Sequence, residues 1–195
     1  EHACEVLMID QLRKKMKTLA LLDAIIEQEW EYRYFSYNAN WSDSAEMGSL
    51  RDGSGGEWFL WLCGDSAGYK CFSPEDGLMS DVNKVKAKAP SAYNGFITEP
   101  AFSMDHSTCI WYLENSQWVK YGKPVKWVID LEVVENWMPA DYHAWATDYY
   151  ERDLDPGAIE KIFDGEFSEA IARKLNPEIK MRSLVAELPQ LGVNS

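Results

Sequence analysis

The sequence predicts an α+β fold with an N-terminal helix, a central, mostly antiparallel sheet of five or six strands, and C-terminal helices. Three observations carry this expectation. Apolar residues recur at three- and four-residue steps near the N-terminus, short aromatic-rich runs punctuated by turn residues fill the middle, and prolines and small polar caps mark successive helix starts beyond Trp137. Strands in one block and helices in others distinguish this order from the strand–helix alternation of a doubly wound sheet. The 195 residues suit one α+β domain over 1–195, with 138–195 as its helical C-terminal part.

Taking the elements in order, Leu12, Met16, Leu19, Leu22 and Ile26 form an apolar stripe between Arg13, Lys14, Lys17 and Glu27, which predicts an amphipathic helix over about residues 5 to 28. In "EWEYRYFSYN", Trp30, Tyr32, Tyr34 and Ser36 alternate with Glu31, Arg33, Phe35 and Tyr37, the period of a strand. "WSDSAEMGSLRDGSGG" follows, where Ser42 or Ser44 is suited to cap a short helical turn running to Leu50 before a Gly-rich connection. "EWFLWLC" reads as a central strand because it is apolar on both faces, and "YKCFS" as the next, ended by Ser73-Pro74. Residues 74 to 95 read as a long exposed loop, since Lys84, Lys86 and Lys88 alternate without an apolar partner face. "STCIWYLE" and "QWVKYG" form a hairpin about Asn115-Ser116, and "VKWVIDLEV" offers a further strand. Pro139, Pro156 and Pro177 stand at first helical positions, and Asp155, Ser168 and Asn176 are good caps. Helices are expected at about 139–152, 156–163, 168–175 and 177–187.

Composition narrows the function classes. With 46% hydrophobic and 13% aromatic residues the chain has the material for a packed core without metal or disulfide staples, and no cofactor is implied. The longest apolar run, Trp58 to Cys63, is far shorter than the ~20 residues a membrane helix needs. The four cysteines, Cys4, Cys63, Cys71 and Cys109, include no short-spaced pair and read as buried thiols of a reducing compartment, so a cytoplasmic address is expected. A Cys63–Cys71 bridge across a hairpin centred on Ser66 would join diagonal positions, not opposite ones. The chain begins at Glu1, so either an upstream segment has been removed or Met8 is the natural start.

Charge is segregated. Of a net −13, a net −10 falls between Asp130 and Glu169, where twelve carboxylates face only Arg152 and Lys161. Such a field repels nucleic acid and anionic membranes and attracts a basic protein partner. The candidate binding surface is Asp148, Glu151, Asp153, Asp155, Glu160 and Asp164; the plainer reading of the same residues is a solvated helical face. Oligomeric state is not specified by these features.

Catalytic motifs are present only in part. Gly64-Asp65-Ser66-Ala67-Gly68 matches the G-x-S-x-G nucleophile elbow. That motif needs a parallel strand before it and a helix after it, and "YKCFSPEDG" cannot begin one, so a turn is the expected reading. "DGSGG" at 52–56 lacks the phosphate-loop spacing and reads as a flexible strand entry. Asp105, His106 and Cys109 lie close in sequence. With Ser66 or Cys109 as nucleophile and His106 as base they constitute a hydrolase alternative, and with His143 a zinc alternative, although no second spaced ligand pair accompanies them. Pro156 and the missing glycine argue against an EF-hand among Asp153, Asp155 and Asp164.

The stretches "WEYRYFSYN", "MGSLRDGSGGEWF" and "EPAFSMDHSTCIWY" together resemble a group of bacterial proteins of this size, over roughly residues 25 to 150. No activity is attached to that group, so the resemblance carries over no functional residue. In class, the helix-then-sheet order and acidity are loosely similar to SUKH-type immunity proteins of bacterial toxin systems. The expectation is therefore a non-catalytic, cytoplasmic, immunity-like protein that binds a basic partner.

Overall fold

Every strand pairs with its neighbour in sequence. The computed structural model describes residues 2–193. After α1 (His2–Ile26) come β1 (Phe35–Asn38), β2 (Glu46–Arg51), β3 (Glu57–Cys63) and β4 (Ser66–Phe72). An excursion carrying α2 (Val82–Lys88) and α3 (Asn94–Ile97) leads to the hairpin of β5 (Cys109–Glu114) and β6 (Gln117–Gly122). The chain ends in α4 (Leu131–Glu135), α5 (Pro139–Tyr149), α6 (Pro156–Phe163), α7 (Glu169–Leu175) and α8 (Met181–Leu191). All strand pairs are antiparallel in the order β1-β2-β3-β4-β5-β6, so the α+β expectation holds.

Both faces of this sheet are covered. Alternate residues of β3, Trp58, Leu60 and Leu62, join Phe35, Leu50, Tyr69 and Trp111 beneath α1 and the C-terminal helices. Phe59 and Trp61 project the other way, with Ile110 and Tyr112, under Val82, Val85, Phe96 and Phe102 of the excursion. That is why "EWFLWLC" carries no polar face. Each fully buried Leu or Phe contributes roughly 1.5–3 kcal/mol, so neither cover is incidental. α1 packs against β1, α6, α7 and α8, and the helices after Trp137 share its core.

Several local expectations are corrected. Trp30–Tyr32 is a 3₁₀ turn, not strand. There the Arg33 side chain folds back to the carbonyls of Glu27 and Gln28, which bends the chain so that β1 can run beside α1. Residues 46–51 are strand, not a helical turn: pairing with both β1 and β3 outweighs local signals. Gly48 fits because a Cβ there would lie 3.0 Å from the Met16 side chain. Residues 74–95 are not a bare loop, since Val82 and Val85 form the buried face of α2 while Lys84, Lys86 and Lys88 point outward.

Residues 125–130 form no strand. Lys126 and Trp127 donate their backbone N–H groups to Asp76, the Ile129 carbonyl accepts from Trp58 Nε1, and Asp130 caps α4. The last helix starts at Met181 and not at Pro177, because Asn176 turns inward to the Ile25 carbonyl. The other starts stand: Asp155 and Ser168 cap α6 and α7, and Pro139 and Pro156 open α5 and α6.

Candidate functional site

The C-terminus of α1 is the organising point. A helix end leaves carbonyls without intrahelical donors, and here Asn176 and Arg152 from distant segments supply donors to the last two, while the nearby Arg33 serves the two carbonyls just past the helix. Asn176 Nδ2 donates to Ile25 O at 2.9 Å, Arg152 Nη1 to Ile26 O, Arg33 Nε to Glu27 O at 2.7 Å and Arg33 Nη2 to Gln28 O at 2.8 Å. Cationic donors at the negative end of the helix dipole add to the stabilisation. These contacts draw the α5–α6 and α7–α8 connections to the end of α1. The result is a shallow pocket of about 580 Å³ lined by Glu27, Glu29, Arg152, Asp153, Asn176 and Glu178, among others.

Four carboxylates thus surround one guanidinium, and that guanidinium is already engaged by Glu27 at 3.2 Å. Glu29, Asp153 and Glu178 are exposed and, among the described residues, form no ion pair. Of the six carboxylates singled out by charge, Asp148, Glu151, Asp153, Glu160 and Asp164 are exposed and likewise unpaired. Asp155 differs, as its carboxylate accepts from Ala158 N at 2.6 Å and caps α6. Glu27, Glu29 and Glu178 were not legible as site residues: more than a hundred residues separate the first two from Asp153, and only the capping of α1 brings them together.

The nucleophile candidates do not converge. Ser66 pairs with Cys63 across the two-residue turn Gly64-Asp65 and is the first residue of an antiparallel strand, without a following helix. His106 stacks on Phe72, their ring centroids 4.2 Å apart. Ser66 and Phe72 stand at opposite ends of β4, roughly 20 Å apart at ~3.3 Å per residue. Cys109 is buried on the α1 face, and a hydrogen bond with the Cys71 thiol, reinforced by burial, pushes its own thiol far above the ordinary range, the reverse of an activated nucleophile. His143 lies on α5 with its Nε2 2.9 Å from Leu154 O. Among the described residues, no group of three or more His, Cys, Asp or Glu side chains is placed to hold a metal ion.

Among the described residues, the one deeply buried carboxylate belongs to Asp23, inside α1. Its oxygens accept from Phe35 N at 2.6 Å, Tyr34 N at 3.1 Å and Tyr142 Oη at 2.6 Å, with Tyr150 also hydrogen-bonded. Burial lifts its pKa to about 6, against the pull of those donors. Enclosed by its partners, this group ties α1 to β1 and α5 and opens onto none of the larger pockets.

Among the described residues no helix is long and apolar enough to cross a membrane. Cys4 lies outside the residues whose side chains are described, so the expectation of a buried thiol there has no structural counterpart; Cys71 and Cys109 are buried and Cys63 is half-buried. No family model, curated protein or solved structure matches this chain.

Proposed function

We propose that this chain is a non-catalytic, cytoplasmic protein-binding protein, immunity-like in class, that presents the acidic end of α1 and the adjoining α5–α6 surface to a basic partner protein. The observation carrying this reading is the set of exposed carboxylates without ion pairs: Asp148, Glu151, Asp153, Glu160 and Asp164, joined at the pocket by Glu29 and Glu178. Unpaired surface charges of one sign raise the encounter rate with an opposite charge and penalise like-charged partners. The separation of Ser66 from His106 and the inert setting of Cys109 favour binding over hydrolysis.

The test is affinity capture from a lysate of the source organism, with the full chain and with the variant Asp148→Asn/Glu151→Gln/Asp153→Asn/Glu178→Gln. Asp155 is left intact because it caps a helix. A basic protein retained at low salt, released at high salt and lost with the variant is the expected result. Retention that is indifferent to both salt and the four substitutions would remove the electrostatic reading. Labelling of Ser66 by a fluorophosphonate, abolished in Ser66→Ala, would favour the hydrolase instead.

A further inference from the structure

Cys71 of β4 stands directly opposite Cys109 of β5. Both side chains belong to the core on the α1 face and are 0% and 1% exposed, and both are free thiols in this structure. Directly opposite residues of an antiparallel pair have Cα atoms about 4.5–5.5 Å apart, inside the ~4.4–6.8 Å span of disulfides. Cys63, which the sequence already placed diagonal to Cys71, pairs with Ser66 and packs on the other face of the sheet.

The position of the pair in the topology gives it a role. The chain leaves the sheet just after Cys71 and returns at Cys109, so the two cysteines form the neck of the excursion that carries α2 and α3 over the second face. Hydrogen bonds already close this neck. Thr108 N donates to Cys71 O at 2.8 Å, Ser73 N to Thr108 Oγ1 at 2.9 Å, and Met79 N to Ser107 O at 2.8 Å. A covalent bond here would join residues that folding alone holds opposite.

We propose that Cys71 and Cys109 are a latent cross-strand disulfide, a redox-operated staple that clamps the neck of the excursion to the sheet. With a low-molecular-weight disulfide such as oxidised glutathione as oxidant, one cysteine loses its proton and its thiolate attacks a glutathione sulfur. The S–S bond of the oxidant breaks and one glutathione leaves as a thiolate. The second cysteine, deprotonated in turn, attacks the mixed disulfide and expels the other glutathione. Two electrons pass to the oxidant, and the two protons end on two glutathione thiols. Burial shields both thiols from solvent at rest, so exchange begins when the β4–β5 ladder opens locally.

The experiment equilibrates the full chain in glutathione redox buffers from fully reduced to fully oxidised, with and without sub-denaturing urea to promote local opening. Samples are acid-quenched, alkylated under denaturing conditions and peptide-mapped. A peptide linking Cys71 to Cys109, two hydrogens lighter than its reduced parts, is expected in the oxidised buffers, with Cys63 alkylated throughout. The linked form should melt roughly 5 °C or more above the reduced form, because the bond constrains the unfolded chain. Cys109→Ser should abolish both the link and the rise; should that variant not fold, the redox titration of the native chain decides alone. Alkylation of both cysteines at every redox ratio in urea, or a link that instead joins Cys63 or Cys4, would overturn the assignment. A Cys71–Cys109 link that leaves the melting temperature unchanged would refute the staple.

Discussion

Tyr142 Oη of α5 donates to Asp23 Oδ1 of α1 at 2.6 Å in a site closed to solvent. The carboxyl's pKa rises from 3.8 unfolded to about 6 folded, so the folded state binds the proton more tightly between those values. Stability arising from this group is therefore fully present below about pH 4 and declines as pH rises to about 6, by up to ~3 kcal/mol at 1.36 kcal/mol per pKa unit. Above that it is flat. Asp23→Asn should remove this fall, so that the difference in unfolding free energy between wild type and variant changes across pH 4–6.5 in urea titrations. A pH-independent difference would show that Asp23 does not titrate in that window.

The stretch that looks like a nucleophile elbow is maintained by backbone and packing requirements. Gly64 has φ +58°, and a Cβ on Gly68 would lie 2.5 Å from the Phe96 ring. Gly68→Ala should therefore cost about 1–3 kcal/mol through overpacking and Gly64→Ala about 1 kcal/mol through backbone strain. Ser66→Ala should fall within about 0.5 kcal/mol of wild type. Chemical denaturation of the three variants checks the ranking, and a costly Ser66→Ala beside a neutral Gly68→Ala would reverse this account.

What the sequence made legible follows from where the deciding contacts lie. β3 needed two apolar faces and had them; the β5–β6 hairpin needed a turn of positive φ, and Asn115 and Ser116 supply it at 51° and 60°. α5, α6 and α7 announce themselves through Pro139, Pro156, Asp155 and Ser168, whose effects act within three residues. β2 was misread because its pairing comes from β1 and β3 and its glycine answers to Met16, thirty-two positions earlier. α2 was missed because Val82 and Val85 find their partners among distant residues on the second face of the sheet, such as Phe59 and Ile110. The charge at Asp153 was legible, but Glu27, Glu29 and Glu178 join it only through the capping of α1, which no local pattern encodes.

Tyr69 presents a different case: its hydroxyl is buried against the Cys71 thiol, a weak partner, and near Cys109 and Asp130, without a nitrogen or oxygen partner. Removing a polar atom whose best partner is a thiol relieves most of a desolvation cost of about 1–3 kcal/mol, while the ring contact with Trp111, centroids 4.5 Å apart, is retained. Tyr69→Phe should raise the denaturation midpoint, or leave it unchanged where the hydroxyl is hydrated in solution. A loss above about 1 kcal/mol would mean that the hydroxyl has a partner in the folded protein.

Arg33 joins three segments through one guanidinium. Beyond its bonds to the Glu27 and Gln28 carbonyls, Nη1 lies 2.6 Å from Glu187 Oε2 and Nη2 3.2 Å from Oε1, with the arginine side chain 4% exposed. Arg33→Ala removes the donors for the Glu27 and Gln28 carbonyls, just past the end of α1, and leaves Glu187 uncompensated, so a loss of about 3–5 kcal/mol is expected. Arg33→Lys should recover only part of it, since an ammonium cannot bridge a carboxylate bidentately and reach both carbonyls. Glu187→Gln leaves the carbonyl bonds in place and should cost less, about 1–3 kcal/mol. If the arginine acts mainly as the cap of α1, Arg33→Ala will stay costly in the Glu187→Gln background. If the ion pair dominates, the double variant will be little worse than either single one, and a double-mutant cycle from urea midpoints separates the two.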